Sequence, residues 1–182
     1  MILTDREIEI ALAKKQIIIE PAPNMKLALS STTLDLTLSN AFAEWRAIPG
    51  MTVHPGSADY SYKDLLQMQN VLSQDTYTLN PQSFVLAWTK EEVMLPEASR
   101  IAARVEGKSS LARLGVGIHV TAPTIHSGFS GNIQLEMFNF GPHKIVLEAG
   151  MRVCQLIFEQ TYGTPNKGYS GMFSGQTDQG LK

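Results

Sequence analysis

A mainly β fold, a sandwich or barrel-like jelly roll with a few short helices, is what this sequence predicts. Three observations carry the prediction. From Tyr77 onward, short apolar or alternating runs recur at close intervals. Turn residues punctuate them at Asn80-Pro81, Leu95-Pro96, Ser127-Gly128, Gly141-Pro142 and Ala149-Gly150. Little helical periodicity lies between them.

The elements follow in order. Thr4-Asp5-Arg6-Glu7 has the pattern of a capping box, in which the Thr4 oxygen and the Glu7 carboxylate serve orphan N–H groups. It opens a helix to about Lys14, and Ile17-Ile18-Ile19 then reads as a strand ended by Pro21 and Pro23. From Thr32 to Leu38 the chain alternates. Thr32, Leu34, Leu36 and Leu38 face one way and Thr33, Asp35 and Thr37 the other, as in a half-buried strand. Asp35 there is a structural polar group, on the ladder side or at a turn. Residues 49–75 mix Gly, Pro, Ser and polar residues, an excursion with a short helix near Tyr62 to Met68. Strands are then expected at Tyr77–Leu79, Ser83–Thr89, Val93–Leu95, Ile101–Glu106, Gly117–Thr121, Ile133–Phe140, Lys144–Leu147 and Val153–Glu159. The tail from Gly163 is rich in Gly, Ser, Thr, Asn and Gln, and is expected to be mobile when alone.

Composition narrows the function. At 182 residues the chain is long enough for one domain with a core, spanning 1–182. Its formal charge is −2 and it has no basic run, which argues against a nucleic-acid partner. No apolar run is long enough to span a membrane, and the start lacks the pattern of a signal peptide, so cytoplasm is the expected compartment. Cys154 is alone and reads as a core residue. The histidines show no H-x-E or paired-cysteine pattern, so a zinc deaminase of the Cys/His type is excluded. A three-histidine site stays formally open, although nothing spaces these residues as ligands.

Two segments carry chemistry. Ser109-Ser110-Leu111-Ala112-Arg113, stopped by Gly115, reads as one helical turn after a strand. Its N–H groups and hydroxyls suit an anion, Lys108 adds a point charge, and Arg113 lies on the same face as Ser109. The same pattern also describes a plain cap beside a solvated arginine. In the second segment, Ile133, Leu135 and Met137 face one side, and Gln134, Glu136 and Phe138 the other. A carboxylate beside Phe138 is a candidate general base, raised by desolvation, and Gln134 offers a donor and an acceptor. A merely wet strand face gives the same pattern. His119 and His126 flank Thr121-Ala122-Pro123 and read as structural.

Taken together, these segments resemble the dCTP deaminase family of the trimeric dUTPase-like superfamily. The likeness runs in order through Met1–Ile8, Thr33–Leu38, Val105–Gly115, His119–Ala122, Gly128–Gly131, Leu135–Asn139, Gln155, and Tyr169 to Gln176. The resemblance implies a dUTPase-like distorted β-barrel or jelly roll, assembled as a homotrimer with sites between subunits. It implies metal-independent deamination of dCTP to dUTP and ammonia, with Glu136 as general base and then acid. Ser109 and the Ala122 carbonyl would position the water, and Arg113 would stabilise the charged centre. Lys108, Ser109, Ser110, Tyr169 and Gln176 would hold the triphosphate and its Mg²⁺. Gln134, Leu135 and Glu136 would read the base, with Gln155 among the matched substrate residues. Residues 163–182 would close as a lid.

Three positions depart from the family pattern. Lys108 stands in place of Arg, and Met172 in place of a triphosphate-binding Lys. His126 replaces an Asp that binds the sugar 3′-hydroxyl and, in dUTPases and bifunctional members, orients the hydrolytic water; a histidine there still offers the sugar a hydrogen bond, so His126 stays among the expected substrate-binding residues. The alternatives are a bifunctional, dUMP-forming enzyme and a non-catalytic deoxynucleotide-binding regulator.

Overall fold

The computed structural model describes residues 1–167, 169 and 175–177. Helix α1 spans Asp5–Ala13, α2 Met25–Ala28, α3 Tyr62–Leu66 and α4 Ser109–Ala112. The strands are β1 (Ile18–Glu20), β2 (Leu34–Trp45), β3 (Gln69–Ser73), β4 (Thr76–Leu79), β5 (Phe84–Met94) and β6 (Ile101–Gly107). They continue with β7 (Val116–Gly117), β8 (Thr124–Ile125), β9 (Ser130–Asn139), β10 (Ile145–Glu148) and β11 (Arg152–Gln160). Among the described residues the fold is mostly β with short helices, as the turn spacing predicts.

The main sheet runs β7-β9-β5-β2-β11-β6-β8, with β1 on β5 and β3 on β2, while β10 and β4 form a separate pair. Long strands make it curl. β2 pairs with β11 through Leu34–Thr37, then with β5 from Leu38 to Ala43, so one strand belongs to two sectors of the sheet. Inside the curl, Leu34, Leu36, Leu38, Phe42, Val85, Leu135, Leu156 and Phe158 are fully buried. Each such side chain contributes roughly 1.5–3 kcal/mol of burial. Cys154 is buried in the same core. On the opposite face, Ala41, Ala43, Leu86 and Trp88 form a second small cluster.

Several expectations need correction. The two strands read at Ser83–Thr89 and Val93–Leu95 are one strand, β5, with a register shift between Trp88 and Glu92. The charges Lys90, Glu91 and Glu92 mimic a turn in the sequence. Glu91 is in fact buried, and Thr37 donates to it from its N–H (2.8 Å) and its hydroxyl (2.7 Å). The polar face expected at Thr33 and Asp35 is also buried, at 9% and 4% exposure. The Thr4 hydroxyl bonds the Glu7 carboxylate directly, so the two do not cap the helix main chain as a capping box would. Asp5 N–H is instead served by Ser31 O at 2.9 Å.

The strand expected over Gly117–Thr121 stops at Gly117. Side-chain bonds take over from the ladder there, as His119 turns back to Ala122 and Thr121 reaches for Glu136. This loop, and β9 opposite it, shape the cleft described next.

Candidate active site

A cleft of about 570 Å³ opens over the polar side of β9. Gln134 and Glu136 form its floor, the 119–122 loop one wall, and Trp45, Tyr62 and Phe84 an aromatic wall. His126, Tyr169 and Gln176 close another side.

The strand register explains the floor. Ile133, Leu135 and Met137 point into the core, so Gln134 and Glu136 must point out. Leu135, expected among the base-reading residues, therefore has its side chain in the core, fully buried. Main-chain groups alternate as well. Asn139 N–H donates to Ser83 O (3.2 Å) on the β5 side, and Phe140 N–H to Gly115 O (2.7 Å) on the β7 side. By that alternation the main-chain groups of Gln134 and Glu136 face the β7 edge. β7 pairs only with Phe138 and Asn139, so this edge continues into the cleft. Asn139 fixes the far end: its amide donates to Leu79 O and His143 O and its oxygen accepts from Gly141 N–H.

Glu136 is the centre of the site. Thr121 donates to its Oε2 twice, from the main-chain N–H and from the hydroxyl, both at 3.0 Å. One carboxylate oxygen is thereby fixed, and Oε1 is the oxygen turned to other work. Phe138, expected to desolvate this acid, packs instead on Phe140, with ring centroids 4.4 Å apart. Nearby, His119 Nε2 lies 2.7 Å from Ala122 O. A carbonyl only accepts, so Nε2 is the donor of this pair. Nδ1 is buried without a partner among the described residues.

Tyr62 belongs to a segment that sequence reasoning left as an excursion. It packs edge-on to Trp45 at 6.3 Å. Burial, then the charges of Tyr60 and Glu136, push its phenol above the ordinary tyrosine value. Thr121 and Tyr62 line the cleft but are not among the residues that the sequence singles out. Thr121 lies between His119 and Ala122 and was legible as a partner only once β9 was placed opposite.

The tail reaches the cleft from the same chain. Tyr169 stacks on His126 at 5.3 Å and tilts against Phe129 at 6.0 Å. Gln176 is 7% exposed, with its Nε2 on Asn132 O at 2.9 Å and its main-chain O accepting from Asn132 N–H at 3.1 Å. Gln176 was expected beside Lys108 on the triphosphate. In this chain it sits on the edge of β9. Met172 and most of the lid expected over 163–182 lie outside the described residues.

Lys108, Ser109, Ser110, Arg113 and Gln155 do not line this cleft. Ser109, Ser110 and Arg113 are exposed on α4 and its end. Gln155 Nε2 donates to Gly107 O at 3.3 Å. Lys108, expected as a free phosphate cation, is 2.5 Å from Oδ2 of the buried Asp35, which also takes Arg152 at 3.1 Å. The expected site residues thus fall into two groups, one lining the cleft and one outside it. Among the described residues no group of three or more His, Cys, Asp or Glu is placed to hold a metal ion, and no helix is long and apolar enough to cross a membrane.

Comparison with known proteins gives these residues a family. A family model described as dCTP deaminase-like matches residues 2–161. A protein named dCTP deaminase, dUMP-forming, from Methanosphaera stadtmanae is 36% identical over 168 residues, 92% of this chain and 83% of the relative. A dCTP deaminase from Rhodospirillum rubrum is 35% identical over 176 residues, 93% of this chain and 88% of the relative. In structure, the chain is similar to the 2'-deoxycytidine 5'-triphosphate deaminase from Agrobacterium tumefaciens, with a TM-score of 0.67 and 22% identity. That likeness is one of fold; it covers 87% of this chain but only 48% of the other. A family model over residues 2–161 and relatives more than 30% identical over most of both chains lead to one conclusion: this chain belongs to the dCTP deaminase-like family.

Proposed function

We propose that the protein deaminates dCTP, adding water and releasing dUTP and ammonia, with Glu136 as the proton carrier. The observation that carries this is the Glu136 carboxylate, pinned through one oxygen by Thr121 beside the Ala122 carbonyl in an aromatic-walled cleft. In this reading the cytosine lies against the open edge of β9, where main-chain groups of Gln134 and Glu136 and the Gln134 amide read its polar edge. Water sits between Glu136 and Ala122 O, whose direction is set by the His119 N–H.

Glu136 removes a proton from that water as its oxygen attacks C4 of the ring, and the proton passes to N3. The hydroxyl now on C4 gives its proton, again through Glu136, to the exocyclic amine, the C4–N bond breaks, and ammonia leaves as the carbonyl forms. Arg113 and Ser109 act on the same centre from a second copy of the chain, since their own copy's cleft does not contain them. Mg²⁺ belongs to the nucleotide and travels with its phosphates; no step of the deamination runs through it.

Incubation of the protein with dCTP and Mg²⁺, followed by chromatography, tests the reading, and equimolar dUTP and ammonia are expected. A positioned base is worth roughly 10²–10⁴ in rate. Glu136→Gln should therefore lose at least about 100-fold, and full activity in that variant would remove Glu136 from the mechanism.

A second reading is favoured by the names of relatives such as that of Methanosphaera stadtmanae, described as dUMP-forming. It requires a group to direct water at the phosphate chain. By resemblance that group is an Asp at position 126, where this chain has an imidazole stacked on Tyr169. The same chromatogram separates the two, because dUMP and pyrophosphate would replace dUTP.

A further inference from the structure

We propose that Arg152 is a phosphate-binding residue, set with Lys108 on the buried carboxylate of Asp35 to receive the terminal phosphates of the nucleotide. The inference deepens the nucleotide reading of the 108–113 turn and rests on it.

Charge count is the first argument. Asp35 is 4% exposed in its side chain, and a carboxylate so placed needs a cation. Lys108 Nζ, at 2.5 Å, supplies one. Arg152 Nη1 lies 3.1 Å from the same oxygen, so a second full positive charge meets an acid already neutralised. No other carboxylate pairs with either cation among the described residues. Glu91, buried nearby, is turned to Thr37. The pair therefore carries a surplus positive charge, and neither side chain is fully enclosed, with side-chain exposures of 22% for Lys108 and 46% for Arg152.

Geometry is the second argument. Arg152 is held by one nitrogen only, since Nη1 donates both to Asp35 and to Leu27 O. Those two bonds fix the guanidinium plane. They leave Nε and Nη2, a two-donor edge of the kind that grips a phosphate, without a partner among the described residues. The position is the third argument. Arg152 begins β11 opposite Thr37, and two residues on, Cys154 pairs with Gly107 at the foot of the turn carrying Ser109 and Ser110. Lys108 alone is a point charge with no fork. Arg152, sharing its anchor, restores one.

Calorimetric titration of the full chain with inorganic tripolyphosphate and with deoxycytidine, in Mg²⁺, tests the proposal. Wild type is expected to bind tripolyphosphate, and Arg152→Gln to bind it roughly 10- to 100-fold more weakly, the worth of a charge-assisted bidentate contact. Arg152→Lys keeps the charge but loses the fork, and is expected between the two. Deoxycytidine, which has no phosphate, should bind all three alike. Failure of wild type to bind tripolyphosphate overturns the proposal, as does unchanged binding in Arg152→Gln. An equal loss for both probes also overturns it, since that marks a structural strut. If Arg152→Gln does not fold, Arg152→Lys decides, and wild-type affinity there removes the fork. Arginine-dependent tripolyphosphate binding in a protein that never turns over dCTP would sink the deaminase reading and leave this inference standing.

Discussion

At the scale of single residues, the site depends on how one carboxylate is held. Thr121 places two donors, 3.0 Å each, on a single oxygen of Glu136. That arrangement keeps the acid in one rotamer, with its second oxygen available for water. The hydroxyl is the replaceable half of the pair, because the N–H belongs to the main chain. A hydrogen bond to a charged group is worth about 1.5–3 kcal/mol. Thr121→Val, which removes the hydroxyl but keeps the shape, is expected to lower kcat about 10-fold or more with little change in KM. Thr121→Ser should recover most of the loss. Steady-state kinetics on dCTP check this, and a KM effect with unchanged kcat would mean that Thr121 serves binding alone.

Among the elements, β9 and its edge decide what the tail can do. Gly131 has φ +145°, a backbone conformation that L side chains rarely adopt, and a Cβ there would lie 2.5 Å from Gln176 O. The Gly175 N–H to Ser130 O bond (2.9 Å) and the Asn132–Gln176 pair are made across this glycine. Gly131→Ala is therefore expected to push residues 175–177 off β9, at an added strain of about 1–3 kcal/mol. Hydrogen exchange at the Asn132 and Gly175 amides should quicken while protection of β2 and β11 persists; unchanged exchange would mean that the tail is held elsewhere.

The same strand shows what was legible in the sequence. Its alternation gave both faces correctly, because a period of two needs no tertiary information. β5 was read as two strands because Lys90-Glu91-Glu92 looks like a solvated turn, and only the fold reveals Thr37 as the partner of Glu91. β3 escaped notice because Gln69 and Asn70 carry no apolar signal, and its pairing with β2 is what makes it a strand. Glu136, Ala122 and His126, singled out through the resemblance, line one cleft, whereas Thr121 and Arg152 owe their places to residues far away in sequence.

For the whole molecule, the expected site residues fall into two groups. Glu136, Ala122 and Gln134 line the cleft, while Ser109, Ser110 and Arg113 stand exposed on the α4 turn. Beside that turn, Leu114 is 53% exposed and Phe140 60% exposed. The main chains that follow them meet closely: a Cβ on Gly115 would lie 2.5 Å from Gly141 N. If a second copy docks on this side, these exposed apolar side chains beside the donors are what it would cover. If the site is shared, loss of Glu136 and loss of Arg113 must complement when they lie on different chains. Glu136→Gln and Arg113→Ala are each expected to be inactive alone. Refolded together in equal amounts, they should form hybrids in which about a quarter of the shared sites carry both intact residues, the statistical share for a closed ring. Recovery of activity toward that fraction, measured as dUTP formed per total chain, establishes a site built by two copies. Continued inactivity of mixtures that have demonstrably exchanged subunits would place Arg113 outside the reaction centre and leave Glu136 to work with its own chain.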